Sequence, residues 1–355
     1  MKRSNISVFV PHLGCPHNCS FCDQKAISGH SGVPTAEEIG LAVAAAVSSG
    51  RLDAANSEIA FFGGSFTAID RSLMVSLLSS GYEQVKRHRL HGIRISTRPD
   101  AIDEEILEIL LRFGVTSIEL GAQSMDDEVL RLNMRGHTAQ DVVNASKMIR
   151  ERGISLGLQM MTGLYGSTAE KDKKTAERLA ELYPDTMRIY PTVVMKNTYL
   201  AQKLESGEYL PMELDESVGL CAWLLDFFEQ RNIDVIRLGL HSEESMMENR
   251  LGGSYHPAFR ELCESKRYFD RALTALKNAG ITGGKVAVSV NPRAVSQMTG
   301  QKKQNVTALR ELGYECVIRA DDRLAMNRVE AARVQIDSTG PTGGLRRQTE
   351  RGNRT

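Results

Sequence analysis

The sequence has no excess of either charge: 44 Lys and Arg stand against 44 Asp and Glu in 355 residues. That balance removes any whole-chain electrostatic argument for nucleic acid or membrane and leaves only local patches. Proline is scarce, at 10 residues, and 41% of the chain is hydrophobic and 25% charged. This is the composition of a soluble protein able to bury a large core, with disorder not expected over most of its length. Long apolar runs are missing. The first, in MKRSNISVFV, is cut short by Pro11 and His12, too soon for a secretory signal, and no stretch approaches a membrane span. A cytoplasmic protein with no membrane partner is expected. A second cysteine pair is missing too. Six cysteines would suit three disulfides, yet three of them crowd into eight residues of a large chain without an export signal, which favours metal.

What is present is a rhythm. Short β-rich apolar runs alternate with longer helical patterns, which argues for a parallel sheet covered by helices. The strands are expected at Ile6 to Val10, Glu58 to Phe62, Ile93 to Thr97, Ser117 to Gly121, Ser155 to Met161 and Met187 to Pro191, with a seventh at Asp234 to Leu238. Crossover helices fit between them, from Thr35, Arg71, Asp103, Ala139, Ala169 and Asp215 onward. Thr35, Asp103 and Asp215 read as N-caps, and Gly92, Gly114 and Gly153 as left-handed closures after helices. The fold class expected is α/β, a partial parallel (β/α)6 barrel over residues 1–240. A helical and loop extension over 241–282, a small α/β module over 283–337 and a disordered tail over 338–355 would follow.

The polar and glycine-rich words all follow strands, where a parallel barrel collects its chemistry at one mouth. The first is Cys15-Pro-His-Asn-Cys19-Ser-Phe-Cys22. Three thiolates can hold three irons of a cubane and leave the fourth open to a ligand. Structural zinc is the alternative, but it usually wants four protein ligands in two pairs, and His12, His17 or Asp23 would have to complete the set. Phe62-Gly63-Gly64-Ser65-Phe66 closes the second strand, where paired glycines let backbone approach a ligand; a tight βα turn would use them equally well. Ile95-Ser96-Thr97-Arg98-Pro99-Asp100 closes the third. Glu119, Gln123 and Gln159 are polar where a core strand would be apolar, so each needs a partner from the protein or from a ligand. Arg135 in Arg135-Gly136-His137 offers a planar fork suited to a carboxylate. Arg188-Ile-Tyr190-Pro-Thr192 and His256-Pro-Ala-Phe259-Arg260 either line a substrate pocket or serve packing. Cys221 and Cys263 read as helix or core thiols and Cys316 as a buried strand thiol.

In this order the words resemble the radical S-adenosylmethionine (radical SAM) superfamily, and within it the Elongator-like branch, over roughly residues 5 to 240. The resemblance implies a 4Fe-4S cluster on Cys15, Cys19 and Cys22, and S-adenosylmethionine (SAM) bound at the open iron. It implies Gly63, Gly64 and Ser65 facing the methionine amino group, and Ser96, Gln123, Arg135 and Gln159 touching ribose or carboxylate. It further implies reductive cleavage of SAM to a 5′-deoxyadenosyl radical, with electrons from a flavodoxin or ferredoxin. Relatives often carry an acid in place of Ser96 and of Gln159, and Gly-Leu-Pro-Gly where this chain has Gly163-Leu164-Tyr165-Gly166. Acetyl transfer, known in the Elongator subunit, is not implied, because the residues after 240 are too few and too differently patterned for that domain. A porphyrin-type decarboxylase and a zinc-containing nucleic-acid-binding protein are the competing readings. Residues Val295 to Leu309 resemble the core of a KH domain, two helices joined by Gly300-Gln301-Lys302-Lys303, with Lys303 at the place of the second glycine. That module is either a clamp for RNA, which the arginines at 346, 347, 351 and 354 would strengthen, or a small packing module with a solvated lysine-bearing helix and a tail whose arginines keep the end soluble.

Overall fold

The computed structural model describes residues 4–11, 19–22, 32–240 and 244–334. Cys15, His12, His17, Asp23 and the tail from 338 lie outside the described residues. The chain divides into two compact units, Met1–Arg267 and Tyr268–Thr355.

In the first unit seven parallel strands form one curled sheet: β1 (Ser4–Val10), β2 (Ser57–Gly63), β3 (Gly92–Thr97), β4 (Val115–Gln123), β5 (Ser155–Thr162), β6 (Thr186–Pro191) and β8 (Asp234–Leu238). They lie side by side in chain order, with β1 and β8 at the two edges, so that among the described residues the barrel is open. A two-stranded antiparallel ribbon, β7 (Val193–Met195) with β9 (Arg250–Gly253), was not expected from sequence. The crossover helices are α1 (Ala36–Ser48), α2 (Arg71–His88), α3 (Glu104–Arg112), α5 (Ala139–Glu151), α6 (Ala169–Ala180) and α8 (Leu214–Glu229). Shorter helices α4 (Asp127–Leu132), α7 (Tyr199–Glu205) and α9 (Glu244–Asn249) and the long α10 (Phe259–Asn278) complete the set. Among the described residues no helix is long and apolar enough to cross a membrane.

The helix starts show how local the instructions are. Thr35 caps α1 in a reciprocal capping box with Glu38, and Asp103 accepts from the Ile106 N–H at the start of α3. Asp215 is not a cap. Helix α8 begins at Leu214 after Glu213, and Asp215 sits in its first turn, where an acid favours the helix dipole equally well. Gly114 (φ 69°) and Gly153 (φ 70°) close helices in the left-handed region as expected, but Gly92 does not. Arg89 (φ 52°) makes that closure, and Gly92 opens β3, where a β-carbon would meet the Thr116 side chain at 2.4 Å.

Residues alternate across each strand. One set, including Val8, Ile59, Phe61, Ile93, Ile95, Ile118, Leu120, Leu156, Leu158 and Ile189, joins helix residues such as Leu78, Leu107 and Ile149 in the main hydrophobic core. Each fully buried aliphatic side chain contributes roughly 1.5–3 kcal/mol. The other set faces away from that core and is polar or small: Glu58, Arg94, Ser96, Ser117, Glu119, Gly157, Gln159, Arg188 and Tyr190. The sheet therefore has one oily face under helices and one polar face within the curl.

In the second unit, β10 (Gly284–Val290) lies between parallel β11 (Tyr314–Ala320) and antiparallel β12 (Val329–Arg333). Two short helices, α11 (Val295–Thr299) and α12 (Gln304–Glu311), connect β10 to β11. Its core gathers Val286, Val288, Val290, Met298 and Leu309 with Tyr268, Ala272 and Leu276 of α10. Cys316 is half-buried, more open than expected, whereas Cys221 and Cys263 are buried in the first unit.

Candidate functional site

The polar face has two levels. Its inner level is a belt across β2 to β6 centred on Glu119, which is 2% exposed. Glu119 accepts from Arg94 Nη1 (3.0 Å), Arg188 Nη2 (2.9 Å), Gln159 Nε2 (3.2 Å) and the Ser96 hydroxyl (3.4 Å). Glu58 takes the other side of Arg94, with Nε at 2.8 Å and Nη2 at 2.7 Å, and accepts from the Ser117 and Thr116 hydroxyls. Burial alone would raise the Glu58 carboxyl, but the Arg94 charge and these hydrogen bonds outweigh it and hold the pKa below the ordinary carboxylate value. Arg188 is half-buried, and Glu119 beside it more than offsets the desolvation, so its pKa rises. Burial pushes the Tyr190 phenol up. Ser96 and Gln159, both expected to touch ligand, thus lean on one carboxylate from the strand between them.

The second level is the rim at the carboxyl ends of β1 to β5. Gly63 is at φ 126°, and a β-carbon there would lie 2.3 Å from the Val10 carbonyl oxygen. Only glycine fits. The Gly64 N–H donates to the same carbonyl at 3.2 Å, so the glycine word abuts the root of the cysteine segment. The Ser65 hydroxyl is buried, accepts from the Arg98 N–H (3.1 Å) and lies 3.1 Å from the Thr97 hydroxyl, and the Ser65 carbonyl accepts from the Ala68 N–H (3.0 Å).

The described part of the cysteine segment is tied down from two directions. The Ser20 N–H and hydroxyl donate to the Asn133 carbonyl (3.1 Å) and Oδ1 (2.7 Å), and the Ser20 carbonyl accepts from the Leu200 N–H (2.8 Å). Phe21 packs beside Tyr165, Val194, Leu200 and Tyr209. Between these anchors the Cys22 N–H donates to the Cys19 carbonyl at 3.1 Å.

Arg135 joins the segment to the barrel. Its Nη1 lies 3.0 Å from Cys19 Sγ and its Nη2 donates to the Gly121 carbonyl at 2.8 Å. Arg98 forks onto Asp100 (2.9 Å twice) and also donates to the Arg135 carbonyl at 2.5 Å. A register shift in β4 between Gly121 and Gln123 turns Gln123 into the left-handed region at φ 64°. His137 Nε2 lies 3.2 Å from the Ala122 carbonyl, and burial together with the Arg135 charge lowers its pKa to about 4, so the ring is neutral near pH 7.

The two levels differ in their accounts. On the rim Gln123 Oε1, Arg135 Nε, Arg98 Nη1, His137 Nδ1 and Thr162 Oγ1 are buried with no hydrogen-bond partner among the described residues, whereas the belt has one such atom, Arg188 Nε, and it lies 2.7 Å from a Glu119 oxygen. Buried polar atoms are rarely left so, and five together mark a place built for a polar ligand. Sequence reasoning singled out Arg135 and Gln123 but passed over Arg98, His137 and Thr162 as individuals, and did not see that Arg94 and Glu58 complete the belt. The usable signal was the polar residue at every second position of successive strands.

The sequence profile described as Radical SAM superfamily matches residues 9–179, and that of a Radical_SAM C-terminal domain matches 184–269. A tRNA uridine(34) acetyltransferase of Dehalococcoides mccartyi is 27% identical over 250 residues, 61% of this chain and 54% of that protein. Elongator complex protein 3 of Saccharomyces cerevisiae is 31% identical over 147 residues, 41% of this chain and 26% of that protein. The chain thus spans about half the length of the first relative and about a quarter of the second. The solved structure of the archaeal Methanocaldococcus infernus Elp3 with an N-terminal deletion has the same fold, with a TM-score of 0.57 at 18% identity over 79% of this chain and 64% of that one.

Proposed function

This chain belongs to the radical SAM superfamily, as an enzyme with Elongator-type relatives, and we propose that it cleaves SAM reductively at a 4Fe-4S cluster held by Cys15, Cys19 and Cys22. The observation that carries the reading is the rim itself. A cysteine sulfur, a Gly63 that tolerates no side chain and five polar atoms without partners among the described residues gather at the carboxyl ends of consecutive parallel strands.

The residues fit the group in kind. Thiolates suit iron, and three of them leave one iron open. Backbone at Gly63, Gly64 and Ser65 would receive the amino group of SAM. Arg135 and Gln123 offer a charged donor and a free carbonyl oxygen toward carboxylate and ribose, and Ser96 and Gln159, steadied by Glu119, complete the cradle. When bound, the reduced cluster supplies the electron that breaks a carbon–sulfur bond of the SAM sulfonium and so provides a carbon radical able to abstract hydrogen. The protein's own work is to orient SAM and keep water from the radical. The apolar packing of Phe21 against Tyr165 and Tyr209 serves the second task at the edge of the cysteine segment. The electron would come from a flavodoxin or ferredoxin in the cytoplasm.

The substrate is proposed to be RNA, in keeping with the relatives' names and with the way charge is divided. From Tyr268 onward the chain carries 15 Lys and Arg against 8 Asp and Glu, a net of +7, which leaves −7 on residues 1–267. A neutral chain with so uneven a split has its cationic C-terminal quarter available to a polyanion. Lys302 (φ 49°) and Lys303 (φ 63°) are exposed and adopt the left-handed backbone between α11 and α12, so the loop expected from sequence bends as glycines would bend it.

Anaerobic protein with reconstituted iron and sulfide, incubated with SAM, reductant and candidate RNA, is expected to form 5′-deoxyadenosine that carries deuterium from labelled substrate. Protein that binds zinc in place of iron, or forms no 5′-deoxyadenosine, would defeat the reading. RNA binding is expected to weaken with salt and with Lys302→Glu and Lys303→Glu together, leaving uncoupled SAM cleavage unchanged.

A further inference from the structure

The first unit has a cavity of about 660 Å³ along the edge of its last strand, bounded by β8 and by His256 to Glu261 at the start of α10. The rim does not contribute to its lining. We propose that this cavity is a binding site for an oxyanion, a carboxylate or phosphate group, received by Arg237, Arg260 and His256.

Three observations support it. First, Arg237 is half-buried in the cavity wall and, among the described residues, meets no carboxylate; its one hydrogen bond is from Nε to the Gly239 carbonyl at 3.0 Å. Its neighbour across the register, Arg188, is neutralised by Glu119, whereas Arg237 is not. Second, a further cation faces the same space. Arg260 donates Nη1 to the Val235 carbonyl at 2.8 Å, and its Nε lies only loosely near Glu264, at 3.8 Å. Desolvation and the charges of Arg188 and Arg260 all work against the Arg237 cation, and Tyr190 offsets them only in part. An anion in the cavity would remove that strain, because a buried charge is tolerated when it is paired. Third, His256 Nδ1 accepts from the Ala258 N–H at 3.0 Å, so the neutral ring carries its proton on Nε2 and can donate. The acids that also line the cavity, Asp234 and Glu261, are exposed and free to turn to solvent. Planar guanidinium groups match carboxylate and phosphate oxygens pairwise, which is why the ligand class is an oxyanion and not a neutral polar molecule.

The inference does not depend on the cluster or on SAM and can be tested on the full chain without either. Calorimetric titration with inorganic phosphate and, separately, with acetate, at constant ionic strength in a non-coordinating buffer, is expected to show one saturable site for at least one of them. Its affinity should fall at least tenfold in Arg237→Gln and in Arg260→Gln, should fall less in Arg237→Lys, which keeps the charge but loses the planar fork, and should be unchanged when Lys302 and Lys303 are made Glu. Competition with a short RNA oligonucleotide identifies the source. Displacement assigns the oxyanion to the RNA backbone, lack of displacement to a free small molecule, and both outcomes keep the site. Equal affinity in the wild type and in folded Arg260→Gln, or no saturable binding of either anion, overturns it.

Discussion

The belt and the rim of the same sheet are made of similar residues and reach opposite ends. In the belt Arg94, Arg188, Glu58 and Glu119 close on one another, and Arg188 Nε, which lacks a well-aligned hydrogen bond, still lies 2.7 Å from a Glu119 oxygen. On the rim Arg98, Arg135, Gln123 and His137 each keep a buried atom with no partner. A polar group buried with its partner is structure, whereas a polar group buried without one is a standing cost that a ligand can relieve. Polarity alone does not distinguish the two levels. Completion of the hydrogen bonds does.

The largest effect should come from the rim's metal end. Cys19→Ala is expected to abolish cluster-dependent SAM cleavage, as are Cys15→Ala and Cys22→Ala, because two thiolates rarely hold a cubane against loss; Cys221, Cys263 and Cys316 should be replaceable. Formation of 5′-deoxyadenosine by Cys19→Ala at the parent rate would sink the assignment.

Next in size is a stability contrast between the levels. Glu119→Leu takes the shared counter-ion from buried Arg94, which keeps Glu58, and from half-buried Arg188, and should cost about 3–5 kcal/mol. Gln123→Leu removes an atom already without a partner and should cost less than about 1 kcal/mol. Urea denaturation of the apo-protein measures both, and equal losses would erase the distinction between belt and rim.

A third prediction uses pH. His137 titrates at about 4 in the folded chain and near 6.5 when unfolded, so between those values the unfolded chain binds the extra proton. Stability from this group is therefore full above about 6.5 and is lost as pH falls toward 4, by on the order of 3 kcal/mol at about 1.4 kcal/mol per unit. Comparing wild type with His137→Gln at pH 7.5 and pH 4.5 checks it: the variant should lose less stability on acidification, and parallel losses would show that the ring carries no such linkage.

The smallest effects are on affinity. Arg135→Ala and Gly64→Val should retain iron but bind SAM more weakly. For Arg135 the loss of a hydrogen bond to a charged group amounts to about 1.5–3 kcal/mol, or roughly ten- to hundredfold. Unaltered SAM affinity in both variants would place SAM elsewhere.

The parts of this protein that are legible in sequence are those set by neighbours along the chain. The alternation that makes seven strands, the Thr35 and Asp103 caps and the crowding of Cys15, Cys19 and Cys22 all depend on residues a few positions apart. Where two local devices satisfy the same need, sequence could not choose between them. Asp215 would suit a cap or a first turn, and the turn before β3 could close on Gly92 or on Arg89.

Partnerships across the sheet were decided by tertiary structure alone. Arg135 could be recognised as a cation near the mouth, but the sulfur beside it belongs to a residue 116 positions away. Arg188 and Glu119 are 69 positions apart, and nothing local says that one acid serves Arg94, Ser96, Gln159 and Arg188 together. Those meetings follow from the register of parallel strands, which crossover helices impose at a distance, and a slip of one residue would turn each side chain to the other face. Sequence by itself thus determined which residues are polar, which are cysteine and where the chain bends. Register decided which polar atoms find partners and which are left buried without them, and so where on this sheet a ligand is wanted.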